Sequence, residues 1–262
     1  LLYDKDEFMS TKKIFVFGDS WTDNDTETAK ILKRPITLDE TWSTHCAKAL
    51  NMKNNNFGLC GVGNWRISQI IMEKIFIEDS NPDCVMVLWS EPTRIPFGHW
   101  SIRPTYHGSN FNSSQGKFCN FFQKEIERIY QRTKNNKTKM KLYNLFENIY
   151  RDYIQQILYV SKILEEKNIP FVMAQAFHPH ISASEVIPYE FFNEVWKKLL
   201  EQYNEKIPKN VLGWPFDKNF GGWNVADKLD DDMLLSFSYH PNHRGHLYIA
   251  ETLLDGYYEL YN

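Results

Sequence analysis

The chain has no surplus of charge of either sign. Across 262 residues, 33 acidic against 30 basic side chains leave a formal net charge of -3. That balance supplies no electrostatic footprint for nucleic acid or for an anionic membrane surface. No apolar run approaches the ~18 residues that span a bilayer, so no membrane span is expected. No signal-peptide pattern opens the chain either, because Asp4, Asp6 and Glu7 crowd its first residues. The setting stays open, a cytoplasmic and a virus- or phage-associated one both being compatible with the sequence. Cysteine is scarce, and Cys46, Cys60, Cys84 and Cys119 lack paired ligand spacing, which points to free thiols rather than a disulfide framework or a zinc site. His178-Pro179-His180 is too closely spaced to claim a metal. No metal and no cofactor are expected. Gly58-x-x-Gly61-x-Gly63 has the wrong spacing for a dinucleotide fingerprint, and the absence of Gly-x-Ser-x-Gly excludes the α/β-hydrolase nucleophile elbow. No repeat, low-complexity tract or linker interrupts the chain, so residues 9–262 are read as one domain.

What the sequence does hold is alternation. Ile14-Phe15-Val16-Phe17 is a continuous β-branched and aromatic run, the composition of a strand buried on both faces. Apolar runs at residues 83–89 and 169–176 read the same way, with a shorter strand at 211–214. Helices are expected at about 38–50, 64–76, 142–167, 189–203 and from about 243 to 258. The strongest stripe is Leu142, Leu145, Phe146, Ile149, Tyr153, Ile157, Val160 and Leu164. Residues 51–56 read as a polar connector and 131–141 as a solvated turn. Residues 95–120 read as a loop, part of a long insertion at about 92–141 that carries Trp100, Arg103 and His107. Strands alternating with helices predict a three-layer α/β/α sandwich around a parallel sheet of about five strands. Right-handed crossovers then bring Ser20, Gly61, Trp89-Ser90-Glu91, His178 and His240 to one sheet edge, where such folds bind ligands.

Three blocks at that edge carry a family resemblance. They are Gly18-Asp19-Ser20 after the first strand, Asn56-x-x-x-x-Gly61, and His240-Pro241-Asn242-x-x-Gly245-His246 before the last helix. In this order they resemble the SGNH, or GDSL-type, hydrolases: serine esterases, lipases and carbohydrate deacetylases on a flavodoxin-like fold. The resemblance implies Ser20 as nucleophile, His240 as its base, and the backbone N–H groups of Ser20 and Gly61 as oxyanion donors. A serine hydroxyl needs such a base to become nucleophilic, and imidazole serves near neutral pH. The implied substrate is a small-molecule or carbohydrate ester with a short acyl group. A lipid esterase, a thioesterase, or a fold kept for binding alone are the alternatives.

Two positions depart from the family pattern. Glu91 stands where the family places an oxyanion-donating asparagine, and an ionised carboxylate cannot donate. Ser90 is the expected substitute donor, with Trp89, Glu91 and Arg94 lining the substrate site. Arg94, three residues on, is the expected partner of the Glu91 charge. Phe237 stands where the family tends to place the aspartate that orients the histidine. Ser238, a backbone carbonyl, Asp231 or Asp232 are the alternatives, and both a dyad and a triad stay open. His243 and His246 are read as capping or packing residues of the last helix.

Overall fold

Strand β1 (Lys13–Gly18) lies in the middle of a parallel sheet, with neighbours on both sides. In the computed structural model the described residues are 12–23, 40–97, 100–102, 124–125, 127–128, 130–131, 136–179, 189–235 and 240–262. β1 pairs with β2 (Lys53–Asn56) on one side and β3 (Cys84–Trp89) on the other. β3 pairs with β4 (Phe171–Gln175), which pairs with the short β5 (Val211–Leu212), all in parallel. The spatial order is therefore 2-1-3-4-5, the flavodoxin-like order.

Side-chain alternation along these strands builds two cores. Phe15, Phe17, Val85, Val87, Trp89, Phe171 and Met173 face one way. They meet α2 (Asn64–Met72), α3 (Asn136–Glu166) and α4 (Tyr189–Tyr203). Ile14, Val16, Cys84, Met86, Leu88, Val172 and Ala174 face the other way, against α1 (Trp42–Ala49) and α5 (His243–Tyr261). This is the three-layer sandwich expected from the alternation.

The local differences have physical reasons. Residues 51–56 hold an edge strand, not only a connector. Lys-Asn-Asn-Asn has little β propensity, and its place comes from register with Lys13 to Val16. The helix expected at 64–76 is α-helical to Met72 and continues as a π turn over Glu73–Ile77. α3 starts at Asn136, inside the stretch read as a turn. Its buried stripe includes Tyr150 and Ile154, while Leu145 is exposed. Within the expected insertion, Ile95–Phe97 and Trp100–Ile102 pair as an antiparallel hairpin rather than a loop. Arg103, His107 and Cys119 lie outside the described residues. Cys46 and Cys84 are free thiols, and burial pushes both far up from their ordinary pKa. Among the described residues no helix is long and apolar enough to cross a membrane.

Candidate active site

The carboxyl end of β1 turns at once into Asp19-Ser20. The turn is closed by the Thr22 and Asp23 N–H groups, which both donate to the Asp19 carbonyl at 2.9 Å. The Asp19 side chain adds a further lock, its Oδ1 accepting from the Trp21 N–H at 3.0 Å. This holds Ser20 just past the strand end. Across from it, Asn242 caps α5 by accepting from the Gly245 N–H at 3.1 Å. His240, two residues before that cap, brings its Nε2 to 3.0 Å from the Ser20 Oγ. The two residues are 220 positions apart in sequence, so the fold alone makes this contact.

The Gly61 segment is tied to the same turn. The Asp23 Oδ2 accepts from the Cys60 N–H at 3.0 Å. The Asn56 side chain donates to the Thr22 carbonyl at 2.7 Å and accepts from the Gly58 N–H at 2.8 Å. Gly58 must be glycine for space, because a Cβ there would stand 2.6 Å from the Asp23 nitrogen. Gly61 must turn the chain, with φ at 78° in the left-handed region that favours glycine.

Ser90 does not face the site. It is fully buried, and its hydroxyl donates to the Asp19 Oδ2 at 2.7 Å. Its N–H donates to the Asn64 Oδ1 at 2.7 Å, and its carbonyl accepts from Asn64 at 2.9 Å and Gln175 at 2.7 Å. Both donors are engaged, so the substitute oxyanion donor expected here is a brace instead. Trp89 is also corrected. It continues the inward alternation of β3 and is fully buried against Tyr153, with ring centroids 6.3 Å apart. Its indole N–H points to the Met173 sulfur at 3.4 Å. A side chain in the core under α3 cannot line a substrate site.

Arg94 and Glu91 are both nearly buried. The Arg94 guanidinium makes its ion pair with Asp19, Nη2 to Oδ2 at 3.2 Å, where Glu91 was the expected partner. Its Nη1 donates to the Val62 carbonyl at 2.8 Å, and the group lies 5.7 Å from the Phe177 ring centre. The Glu91 Oε1 accepts from the Thr93 hydroxyl at 2.6 Å. The Asp232 carboxylate pairs with Arg244, and positions 237 and 238 lie outside the described residues. His246 is a packing residue, its Nδ1 accepting from the Trp42 N–H at 3.3 Å. Among the described residues no group of acidic, His and Cys side chains is arranged to hold a metal.

The sequence reading missed Asp19, Asn64 and Gln175 as the residues that join the turns. Asn64 carried a faint signal, a polar residue at the first position of a helix after a glycine run.

The fold is a flavodoxin-like α/β/α sandwich with a 2-1-3-4-5 sheet, a Gly-Asp-Ser turn after β1 and a His-Pro block opening the last helix. No family model matches the sequence, and no curated protein matches it in sequence. Solved structures similar to it include a protein described as a lipolytic member of the G-D-S-L family from Desulfitobacterium hafniense DCB-2. That match has 11% identity and a TM-score of 0.46, covering 94% of this chain and 99% of the other. A carbohydrate esterase family 2 enzyme from Corynascus thermopiles, solved with its carbohydrate-binding domain, has 12% identity and a TM-score of 0.47, covering 95% and 66%. A catalytic mutant of an acetylxylan esterase from Geobacillus stearothermophilus has 14% identity and a TM-score of 0.44, covering 95% and 94%. At these values they are likenesses of fold only. The assignment of the fold stands on this chain's own strand order and two helical layers.

Proposed function

We propose that the protein is a serine esterase that removes short acyl groups, O-acetyl on carbohydrate among them, through Ser20 and His240. The observation that carries this reading is the 3.0 Å contact between the Ser20 Oγ and the His240 Nε2. With the imidazole proton on Nδ1, Nε2 accepts the Ser20 O–H as the oxygen attacks the ester carbonyl. The carbonyl π electrons move to oxygen, and the N–H groups of Ser20 and Gly61 hold the resulting oxyanion, at ~3–4 kcal/mol per donor. Collapse of the tetrahedral intermediate expels the alcohol, which leaves with the proton held at Nε2. Water then attacks the acyl-Ser20 ester with His240 taking its proton, and collapse breaks the bond from the acyl carbon to Oγ, returns that proton to the Ser20 Oγ and releases the acid. The preference for short acyl groups comes from the family resemblance.

The test is hydrolysis of p-nitrophenyl acetate and p-nitrophenyl octanoate, beside Ser20→Ala and labelling by a fluorophosphonate probe. Hydrolysis lost in Ser20→Ala, a label mapped to Ser20 and higher kcat/KM on acetate are expected. Hydrolysis that survives Ser20→Ala, or a label on another residue, refutes Ser20 as nucleophile. Higher kcat/KM on octanoate refutes the short-chain preference, since each buried CH₂ is worth ~0.8 kcal/mol in a true acyl channel.

A further inference from the structure

Two backbone segments must keep a fixed separation if the Ser20 and Gly61 N–H groups are to act on one oxygen. Gly61 is flanked by two ties to the nucleophile turn. On its N-terminal side the Cys60 N–H donates to the Asp23 carboxylate at 3.0 Å. On its C-terminal side the Val62 carbonyl accepts from the Arg94 Nη1 at 2.8 Å. The same guanidinium reaches the Asp19 Oδ2 at 3.2 Å through Nη2, and Asp19 directly precedes Ser20. Arg94 therefore holds the residue after one oxyanion candidate and the residue before the other. Its side chain is 5% exposed and that of Asp19 is 0% exposed, so little water competes for these contacts.

We propose that Arg94 is a positioning residue, which sets the spacing of the Ser20 and Gly61 N–H groups and neutralises Asp19 beside the nucleophile. This proposal rests on the esterase reading above. It gives Arg94 an inward role in place of lining the substrate site. The role suits arginine and not lysine: a planar guanidinium addresses two acceptors at a fixed angle, whereas an ammonium is a single point charge on a flexible stem. A displacement of about 1 Å in such a site costs on the order of 100-fold in rate.

The experiment compares wild type, Ser20→Ala, Arg94→Lys and Arg94→Ala on p-nitrophenyl acetate, with thermal melts and with millimolar guanidinium added back to Arg94→Ala. Arg94→Lys should fold and lose kcat on the order of 100-fold, with KM within about threefold, the signature of a lost transition-state interaction. Guanidinium should restore Arg94→Ala by about tenfold or more, a response that a purely structural loss would not give. A wild-type-like kcat in Arg94→Lys overturns the proposal, as does a change confined to KM. Should both Arg94 variants fail to fold, Asp19→Asn decides when measured against Ser90→Ala, because Asn weakens the ion pair together with the Ser90 bond to the same oxygen, whereas Ser90→Ala removes that bond alone. A kcat reduced by about tenfold supports the proposal and an unchanged kcat overturns it. A wild type without Ser20-dependent hydrolysis removes the esterase reading and this proposal together, whereas an active wild type with an insensitive Arg94→Lys removes this proposal alone.

Discussion

Replacing Ser90 by alanine separates two roles that the sequence leaves open for its hydroxyl. If the hydroxyl were an oxyanion donor, its loss would cost about 10²–10³ in kcat and little stability. The structure points the other way. Ser90 is fully buried, and its hydroxyl donates to the Asp19 carboxylate at 2.7 Å. A hydrogen bond to a charged acceptor contributes about 1.5–3 kcal/mol. Alanine fills nearly the same space, so no large cavity term is added. Arg94 still reaches the same Asp19 oxygen at 3.2 Å, which keeps the carboxylate partnered and the loss near the lower figure. For a chain of this size each kcal/mol shifts the melting temperature by about 2–4 °C.

Ser90→Ala should therefore melt roughly 3–6 °C below wild type and keep kcat on p-nitrophenyl acetate within about tenfold. Thermal melts check the first number and initial rates check the second. A melt equal to wild type with kcat reduced about 100-fold or more would refute the reasoning. The hydroxyl would then be a donor to the reaction and not a brace.

Gly58→Ala should destabilise by about 1–3 kcal/mol, read as a lower urea midpoint, because the new methyl would stand 2.6 Å from the backbone of both Thr22 and Asp23. A wild-type midpoint would show that the two turns do not pack as described. Burial first, then the neighbouring His243 and Lys48, lowers the His45 pKa from 6.5 against a smaller opposing pull from Glu40. The unfolded chain binds the proton more readily, so this contribution is complete above pH 6.5 and is lost as pH falls toward the lowered folded value. His45→Asn should flatten the loss of stability between about pH 7 and pH 5, and an unchanged slope would count against it. Glu91→Gln keeps an acceptor for the Thr93 hydroxyl, which bonds Glu91 at 2.6 Å. Its kcat should stay within about threefold of wild type, whereas a rise of about 100-fold would mean that the carboxylate opposes the developing oxyanion.

The layers were legible because they depend on residue type summed over long stretches. Ile14 to Phe17 and Cys84 to Trp89 are apolar at every position, and only a strand covered on both faces can bury such a run. β2 was not legible for the opposite reason. Lys53-Asn54-Asn55-Asn56 has no composition of its own to mark it, and its order comes from pairing with β1 and from Asn54 and Asn56 side-chain bonds to Ser43. The glycines of the second block were half legible. Their density announced a backbone under constraint, but not that Gly58 yields space to Asp23 while Gly61 supplies the turn.

At the site, the positions were legible and the direction of each side chain was not. Ser20 and His240 lie beside strand-end and helix-start features that sequence can display, and they meet at 3.0 Å. Trp89, Ser90 and Arg94 stand on the same edge, yet all three are buried. Whether a residue at a strand end points out or in depends on the strand's alternation and on what polar partner waits inside. For Trp89 the alternation of β3 decides. For Ser90 and Arg94 the deciding group is Asp19, a carboxylate that the Gly-Asp-Ser turn itself places in the interior. A buried carboxylate draws donors because its desolvation is costly without them, and here a hydroxyl and a guanidinium answer it on one oxygen. The Gly-Asp-Ser block therefore does two things at once. It turns the Ser20 hydroxyl toward His240, and it fixes through Asp19 which residues of the neighbouring strand end must turn inward to support it.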